Sequence, residues 1–355
     1  MRAFECDYCG NLLFFENVAC LGCQHVLGFV PELIGLCAVE PVQNGLWKSL
    51  DPHTRGKVYR QCANTHEFQI CNWLVQEEDE NMLCRACRLN LVIPDLSVSG
   101  NLERWRKLEM AKRRVIYTIL RLGLPVEAEG NRPALRFKLI GDVPGGPALL
   151  TGHMDGVVTV NIAEADDAER ERRRVQLGEP YRSLPGHLRH EIAHYYWDRL
   201  VKDSEDLEPF RQLFGDERKD YSECLKAHYR NGPPPNWEMN HVTAYASCHP
   251  WEDWAETWAH CLHILDTLET AASFGLSLRP QHFQAKTMRA EPSRTPGSQS
   301  DFDQIIRNWM PLTHALNELN RGMGLPDIYP FVLSEKTVEK LRWVHRLLTP
   351  STLRK

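Results

Sequence analysis

The stretch that decides the fold of the larger part of the chain is Pro185-Gly-His-Leu-Arg-His-Glu-Ile-Ala-His-Tyr-Tyr-Trp-Asp-Arg-Leu200. It contains the H-E-x-x-H pattern, in which His190 and His194 stack on one helix face and can bind a single metal ion. Glu191 follows His190 directly, where its carboxylate can reach a water molecule at that ion. Ser183 can cap the helix. The alternative is a core-facing helix that carries two histidines by coincidence, because so short a pattern also occurs in unrelated proteins.

Length and composition are those of a globular protein with room for two domains: 355 residues, 43% hydrophobic and 25% charged. No run approaches the ~20 apolar residues that span a bilayer, so we expect no membrane partner. The N-terminus carries no apolar leader, and C-x-x-C pairs in a reducing compartment indicate metal rather than disulfides. These features predict a cytoplasmic protein.

The cysteines are concentrated near the N-terminus, with nine of the twelve before residue 90. This distribution predicts a zinc-ribbon module at 1–97 ahead of a larger domain at 98–355. Two C-x-x-C pairs come first, and ten residues separate them: Cys6 and Cys9, then Cys20 and Cys23. Four thiolates at this spacing fit the tetrahedral shell of a structural zinc ion.

A second set of cysteines predicts a second structural zinc ion, bound by Cys62, Cys71, Cys84 and Cys87. The last two form a normal C-x-x-C pair, but the gap between the first two is wide. His66 lies in that gap and is an alternative ligand in place of one sulfur. Cys37 is left over, and we interpret it as a small hydrophobic core residue.

Charge argues against nucleic acid as the partner of the ribbon module. Residues 1–95 contain 7 Lys and Arg but 12 Asp and Glu, whereas a phosphate-binding module should be basic. The acidic run Glu77–Glu80 adds to this bias. A structural role, or docking of a protein partner, is the expectation for this module.

The larger domain begins with a helical pattern near Asn101, followed by strand-like runs at 134–140, 148–151 and 156–162. Residues 152–155 between the last two runs resemble a turn, so His153 is expected on that turn, where it either reaches a cleft or is simply solvated. We interpret Val157–Ile162 as the edge strand of a small sheet beside that cleft.

A catalytic zinc ion needs a third protein ligand beside the two histidines, with a fourth position left for water. The stretch Tyr245–His260 supplies candidates on a helix that tryptophans would bury. Glu252 and Glu256 are stacked at a four-residue step, and a buried carboxylate needs a cation or a metal. Asp253 and His249 are neighbouring alternatives.

These motifs together resemble a known family. The ribbon cysteines, the run Arg189–Arg199 and the run Tyr245–Trp258 are similar to the bacterial zinc-binding metallopeptidases that carry an N-terminal zinc-ribbon domain. The likeness covers nearly the whole chain, including 324–333. It implies an α+β fold, with the zinc ribbon followed by a mostly helical zincin-like domain and a small sheet.

The run from Tyr245 also resembles the glutamate-ligand helix of lethal-factor-like gluzincins. That likeness implies Glu252 as the third zinc ligand, Tyr245 as hydrogen-bond donor to the transition state, and Glu256 as a partner that supports the ligands. The interval from His194 to Glu252 is much longer than in thermolysin-type enzymes. Asp253, His249 and Glu256 therefore stay open as ligands.

The function that these residues predict is zinc-dependent hydrolysis of peptide bonds in a peptide or protein substrate. Glu191 would act as general base, and the chain would bind three zinc ions, one catalytic and two structural. The competing prediction is an inert zinc-binding module that docks a protein partner through its ribbons. Glu191 discriminates between the two, because a purely structural zinc site has no need of it.

Overall fold

Helices and strands both contribute to the fold, as the predicted α+β class requires. The computed structural model describes residues 1–54, 56–142, 149, 151–281, 286–292 and 302–348. The chain divides into two compact units. The first comprises Met1–Ala128, Ala134–Gly152 and Val157–Arg170, and the second comprises Glu129–Pro133, His153–Gly156 and Glu171–Lys355. Within the described ranges, no helix has both the length and the apolar character needed to cross a bilayer.

The first unit starts with a short antiparallel pair, β1 (Phe4–Glu5) and β2 (Leu12–Leu13). An antiparallel sheet of five strands follows in the order β3-β4-β5-β6-β7. Its strands are β3 (Val26–Val30), β4 (Gly35–Pro41), β5 (Trp47–Ser49), β6 (Val58–Gln61) and β7 (Leu74–Gln76). Phe29 also bridges to Trp73 in parallel, which brings the first and last strands of this sheet together.

The core of the first unit is aromatic and includes a long helix. Between β6 and β7 lies the short helix α1 (Ala63–Phe68), and α2 spans Asn101–Arg121, as the helical pattern predicts. Tyr117 of α2 packs edge-on against Phe15 and Phe29, with ring centroids 5.6 and 6.0 Å apart. Because these rings are buried, α2 is part of the same core as the cysteine-rich strands.

A second sheet has the strand order β10-β11-β9-β8. Its strands are β8 (Asn90–Val92), β9 (Arg136–Ile140), β10 (Gly152–Met154) and β11 (Val157–Asn161). The edge-strand prediction is wrong: β11 lies inside the sheet, and β10 is the edge. The turn was predicted at 152–155 but lies at Asp155 and Gly156. Their φ angles of 48° and 80° favour a two-residue hairpin turn.

The second unit is helical. Helix α3 (Asp167–Gln176) leads into it. It contains α4 (Leu184–Leu200), α5 (Leu207–Phe214), α6 (Tyr221–Asn231), α7 (Pro250–Ser273), α8 (Phe302–Gly322) and α9 (Glu335–Leu348). Its core is built around α7, where Trp254 and Trp258 are fully buried. Tyr196 of α4 stacks on Trp258, so aromatic side chains pack between these two helices.

Candidate metal centre and its surroundings

Helix α4 forms where the capping pattern predicts it. Ser183 is the N-cap residue, and its hydroxyl accepts a hydrogen bond from the amide of Gly186 at 3.2 Å. Pro185 occupies the first turn, where its missing N–H removes no helical hydrogen bond. The helix then runs without interruption through His190 and His194, which places both imidazoles on one face.

Helix α7 packs against α4, and three contacts join the pair. The Trp254 indole donates a hydrogen bond to the Ala193 carbonyl at 2.7 Å. Tyr196 stacks on Trp258 with ring centroids 5.0 Å apart. A buried ion pair of 2.6 Å joins Arg189 to Asp266 further along. Since these contacts lie on both sides of His190, they hold the facing turn of α7 opposite the two histidines.

The facing turn brings Glu252 to the imidazoles. One potential ligand atom from each of His190, His194 and Glu252 lies within 4.8 Å of the other two. His190 Nε2 is 3.0 Å from Glu252 Oε2, and His194 Nε2 is 3.7 Å from Glu252 Oε1. Glu252 is only 2% exposed. Two imidazoles and one carboxylate are the ligands found in catalytic zinc sites of the His₂Glu type.

A buried carboxylate oxygen of Glu252 without a hydrogen-bond donor favours a bound cation at the cluster of His190, His194 and Glu252. Within the described part of the chain, the buried Glu252 Oε2 has no hydrogen-bond donor of suitable geometry. Burial alone would raise the pKa of Glu252, but His194 and His190 outweigh it and hold the pKa at about 2. The side chain is therefore a carboxylate, and an unsatisfied buried carboxylate oxygen is stabilised by a bound cation. The residues present fit zinc.

His190 is held from its other side by Glu256. His190 Nδ1 lies 2.7 Å from Glu256 Oε1, and Thr243 donates a hydrogen bond to Glu256 Oε2 at 2.8 Å. Burial lowers the pKa of His190, but the neighbouring carboxylates of Glu252 and then Glu256 raise it more, so the net direction is upward. A carboxylate on the far ring nitrogen fixes the tautomer that leaves Nε2 free to bind a metal.

Glu191, the predicted general base, lies on the same turn of α4 and is 6% exposed. His187 Nε2 is 3.4 Å from Glu191 Oε1, across one turn of the helix. Burial raises the pKa of Glu191, whereas His187 and then His190 lower it, and the net direction is downward. Glu191 is therefore ionised at neutral pH, which is the form that accepts a proton.

Tyr245 lies next to the cluster in the short 3₁₀ turn Tyr245–Cys248. Its ring centroid is 6.0 Å from that of His190. Burial, and then Glu252, raise the pKa of its hydroxyl, which stays protonated and able to donate. His153 lies on β10 rather than on the turn, with its ring centroid 6.3 Å from that of His194.

The alternative third ligands are engaged elsewhere. His249 caps α7: its Nδ1 accepts from the Trp251 amide at 3.1 Å, and its Nε2 lies 3.1 Å from the Lys219 carbonyl. Asp253 is paired with Lys340 at 2.6 Å in a buried contact. Glu256 supports His190 from behind. Among the described residues, Glu252 is therefore the acidic side chain grouped with both imidazoles.

Two residues that support the cluster were not found from the sequence. The Tyr221 hydroxyl, on α6, donates a hydrogen bond to Glu252 Oε1 at 2.9 Å, and Thr243 holds Glu256. A buried carboxylate signals that it needs partners, but it does not say which residues supply them. Both partners come from the segment between α4 and α7, where no motif marks them.

The cysteines group as predicted into two sets of four. In each set the sulfur atoms lie within 4.8 Å of one another. The pairs Cys6–Cys23, Cys9–Cys20 and Cys71–Cys84 are each 3.6 Å apart. A tetrahedral site with Zn–S bonds of about 2.3 Å places its sulfurs about 3.7–3.8 Å apart, so the spacing fits zinc. His66 is exposed and lies outside the second set.

Cys37 is a core residue, as predicted, and is 1% exposed. It packs with Val30, Val39, Tyr59 and Leu74. Its sulfur also lies near carboxylate oxygens of Asp7 and Asp51. Burial, then these two carboxylates, raise the pKa of the Cys37 thiol to about 12. A protonated thiol is a poor metal ligand, because the thiolate is the form that binds.

Helix α2 supplies buried charged groups beside the second cysteine cluster. Glu109 Oε2 lies 4.0 Å from Cys87 Sγ, and Lys112 forms a buried ion pair of 2.8 Å with Glu109. Arg113 donates to the Ile70 carbonyl next to Cys71. Burial lowers the pKa of Arg113, but Cys71 and Glu109 raise it more. A buried cation here offsets the negative charge that four thiolates give a zinc site.

Comparisons with known proteins identify the family of the chain. Residues 101–347 match the family described as "putative zinc-binding metallo-peptidase", and residues 3–98 match a zinc-ribbon domain. The chain therefore belongs to this zinc-binding metallo-peptidase family and carries an N-terminal zinc ribbon.

Two mycobacterial proteins illustrate the similarity. The "Uncharacterized protein Rv2568c" of Mycobacterium tuberculosis and the "Uncharacterized protein Mb2598c" of Mycobacterium bovis are each 42% identical to this chain over 351 residues. Each alignment covers 98% of this chain and 95% of the relative. No solved structure gives a significant match.

Proposed function

We propose that this protein is a zinc-dependent peptidase that hydrolyses peptide bonds at the cluster of His190, His194 and Glu252. The observation that carries the proposal is the position of Glu191, a buried and ionised carboxylate on the same helical turn as two imidazoles that converge on Glu252. A structural metal site has no use for this additional carboxylate. A hydrolase requires it as a base.

The chemistry divides among the side chains in a definite way. A zinc ion bound by the three ligands supplies the Lewis acidity that lowers the pKa of water and polarises a peptide carbonyl. Glu191 accepts the proton of the attacking water and passes it to the leaving amine. Tyr245, whose hydroxyl stays protonated, donates a hydrogen bond to the oxygen that becomes negative. Glu256 and Tyr221 orient His190 and Glu252.

The same proposal includes the finer assignments that the sequence suggested. The peptidase is of the gluzincin type, because its third ligand is a glutamate on a helix that follows the H-E-x-x-H helix. The chain binds one catalytic and two structural zinc ions, with functional domains at 1–97 and 98–355. Cysteines that group in fours rather than in pairs support a reducing, cytoplasmic location.

A second candidate function is docking of a protein partner by the zinc ribbon without catalysis. The observation that favours it is a set of exposed apolar side chains around the first cysteine cluster. They are Tyr8, Leu12, Phe14, Val18 and Leu21, all at least 48% exposed. The acidic charge of residues 1–95 disfavours nucleic acid as that partner.

The two functions are separated by comparing wild type with Glu191→Gln on a peptide library prepared from a bacterial proteome. Mass spectrometry identifies the new peptide termini, and elemental analysis gives zinc per chain. We expect cleavage by wild type, at least a hundredfold less by the variant, and equal zinc content. Equal cleavage by both proteins would remove Glu191 from the mechanism. No cleavage by wild type with a full complement of zinc would favour the docking function.

A further inference from the structure

We propose that His153 binds the substrate: its Nδ1–H donates a hydrogen bond to a backbone carbonyl oxygen of the peptide that lies beside His194. The inference rests on the peptidase function proposed above, and it adds to that site a residue from the edge strand β10.

The position of the ring is next to the metal ligands but outside their group. The His153 ring lies nearly parallel to that of His194, with centroids 6.3 Å apart and an angle of 16° between the planes. The mutually close ligand atoms at this site belong to His190, His194 and Glu252, and His153 is not one of them. His153 is thus close enough to contact a substrate held at the cluster without taking a coordination position.

The tautomer of His153 is selected by the backbone. The Gly156 amide donates a hydrogen bond to His153 Nε2 at 3.1 Å. A nitrogen that accepts a hydrogen bond carries no proton, so the proton of the neutral imidazole lies on Nδ1. The Asp155–Gly156 turn holds this geometry, because both residues have the positive φ angles that direct the chain back along β11.

The remaining nitrogen is available to a ligand. His153 is half-buried. Within the described residues its ring makes one hydrogen bond, at Nε2, and Nδ1 is not a buried atom left without a partner. Nδ1–H therefore has no acceptor among the described residues, and it belongs to a ring that lies beside the ligand cluster. A peptide carries a carbonyl acceptor at every residue, so this donor matches the proposed class of substrate.

The test uses amides that mimic one ring nitrogen each. In His153→Gln the side-chain amide reaches the Nε2 position and keeps a partner for Gly156, whereas His153→Asn keeps a donor near the Nδ1 position. His153→Phe removes both nitrogens. Met154→Gln, a change at an exposed residue of the same strand, is the matched control. The probe is a synthetic peptide spanning the sequence that wild type cleaves most efficiently in the proteome-derived library.

We expect the KM of His153→Gln and His153→Phe to rise about tenfold, with kcat within twofold of wild type and zinc content unchanged. His153→Asn should recover most of the lost affinity, and Met154→Gln should match wild type. A KM for His153→Gln equal to that of wild type would overturn the inference. So would a KM for His153→Asn as high as that of His153→Phe, or loss of one zinc ion from His153→Gln.

Failure of the inference and failure of the proposed function give different results. If wild-type cleavage disappears in Glu191→Gln but is unaffected by His153→Gln, only the role of His153 is overturned. If no cleavage depends on Glu191, the peptidase function is overturned, and the role of His153 with it. Binding of the same peptide to Glu191→Gln, measured by calorimetry with and without His153→Gln, should show the same tenfold loss in the absence of turnover.

Discussion

The Tyr221 hydroxyl donates a hydrogen bond of 2.9 Å to Glu252 Oε1, so that a residue of α6 holds the one acidic side chain of the ligand cluster. With Oε1 engaged in this way, Oε2 is the oxygen directed toward His190. The contact therefore leaves Oε2 as the oxygen nearer to His190. It also keeps Glu252 ionised, as does the neighbouring His194.

Replacing Tyr221 by phenylalanine removes this hydrogen bond and keeps the ring. We expect the affinity of the His190 site for zinc to fall about tenfold, because partners that orient a ligand contribute a factor of about 10 to 100. Competition with a zinc-binding dye measures the change. Tyr229→Phe, at a residue that is 61% exposed on the same helix, is the control. Equal affinities of wild type and Tyr221→Phe would show that the contact does not hold the ligand.

Glu256 is predicted to act through His190. Glu256→Ala leaves the buried Nδ1–H of His190 without its acceptor and should lower zinc affinity about 10- to 100-fold. Glu256→Gln keeps an acceptor and should lose less. The same dye competition applies to both variants, with Thr243→Val as an intermediate case because it removes one donor from Glu256. If Glu256→Ala binds zinc as tightly as wild type, the orientation of His190 does not depend on this carboxylate.

The ion pair between Asp253 and Lys340 joins α9 to α7 and is almost fully buried. Lys340→Met removes the buried cation that pairs with Asp253 and leaves only His241 beside that carboxylate, which should destabilise the fold by about 3–5 kcal/mol. Chemical denaturation at a fixed zinc concentration measures the loss. Lys336→Met, at a more exposed position of α9 with a surface partner, should cost less than about 1 kcal/mol. Similar denaturation midpoints for the two variants would contradict a structural role for the buried pair.

Removal of one sulfur should release one zinc ion. We expect native mass spectrometry of Cys71→Ser to show one zinc fewer than wild type, because three thiolates and a hydroxyl bind zinc more weakly than four thiolates. Cys37→Ala should keep the full number, since the Cys37 thiol is protonated and lies in the hydrophobic core. Loss of zinc from Cys37→Ala, or retention in Cys71→Ser, would mean that the ligand sets are drawn from different cysteines.

Much of the local structure follows from residues that act within one helix or one turn. The capping of α4 by Ser183 was predictable because it depends only on the four consecutive residues from Ser183 to Gly186. The grouping of Cys62 and Cys71 with the Cys84–Cys87 pair was predicted, and the spacing of the sulfurs confirms it. The proximity of Glu252 to the two imidazoles agrees with the sequence argument, whereas its role as a ligand stays a prediction.

The errors lie where structure depends on neighbours distant in sequence. Strand β10 is three residues long, too short for an alternating pattern, so His153 was assigned to a turn and β11 to the sheet edge. The Asp155–Gly156 pair, which favours a hairpin turn, is the signal that could have placed the turn correctly. Tyr221 carries no such signal, because its contact with Glu252 exists only once the folded chain brings the start of α6 to that carboxylate.

The segment between α4 and α7, residues 201–249, has a consequence for how a metal site of this kind can change during evolution. The histidines and the glutamate proposed to bind zinc at this site belong to α4 and α7. Tyr221 and Thr243, which donate hydrogen bonds to Glu252 and Glu256, belong to the segment between these helices. The proposed zinc ligands and the residues that hydrogen-bond to the neighbouring carboxylates thus lie in different segments of the sequence. Substitutions in this segment can change the pKa values of Glu252 and Glu256 and the affinity for zinc, while the proposed zinc ligands themselves are unchanged.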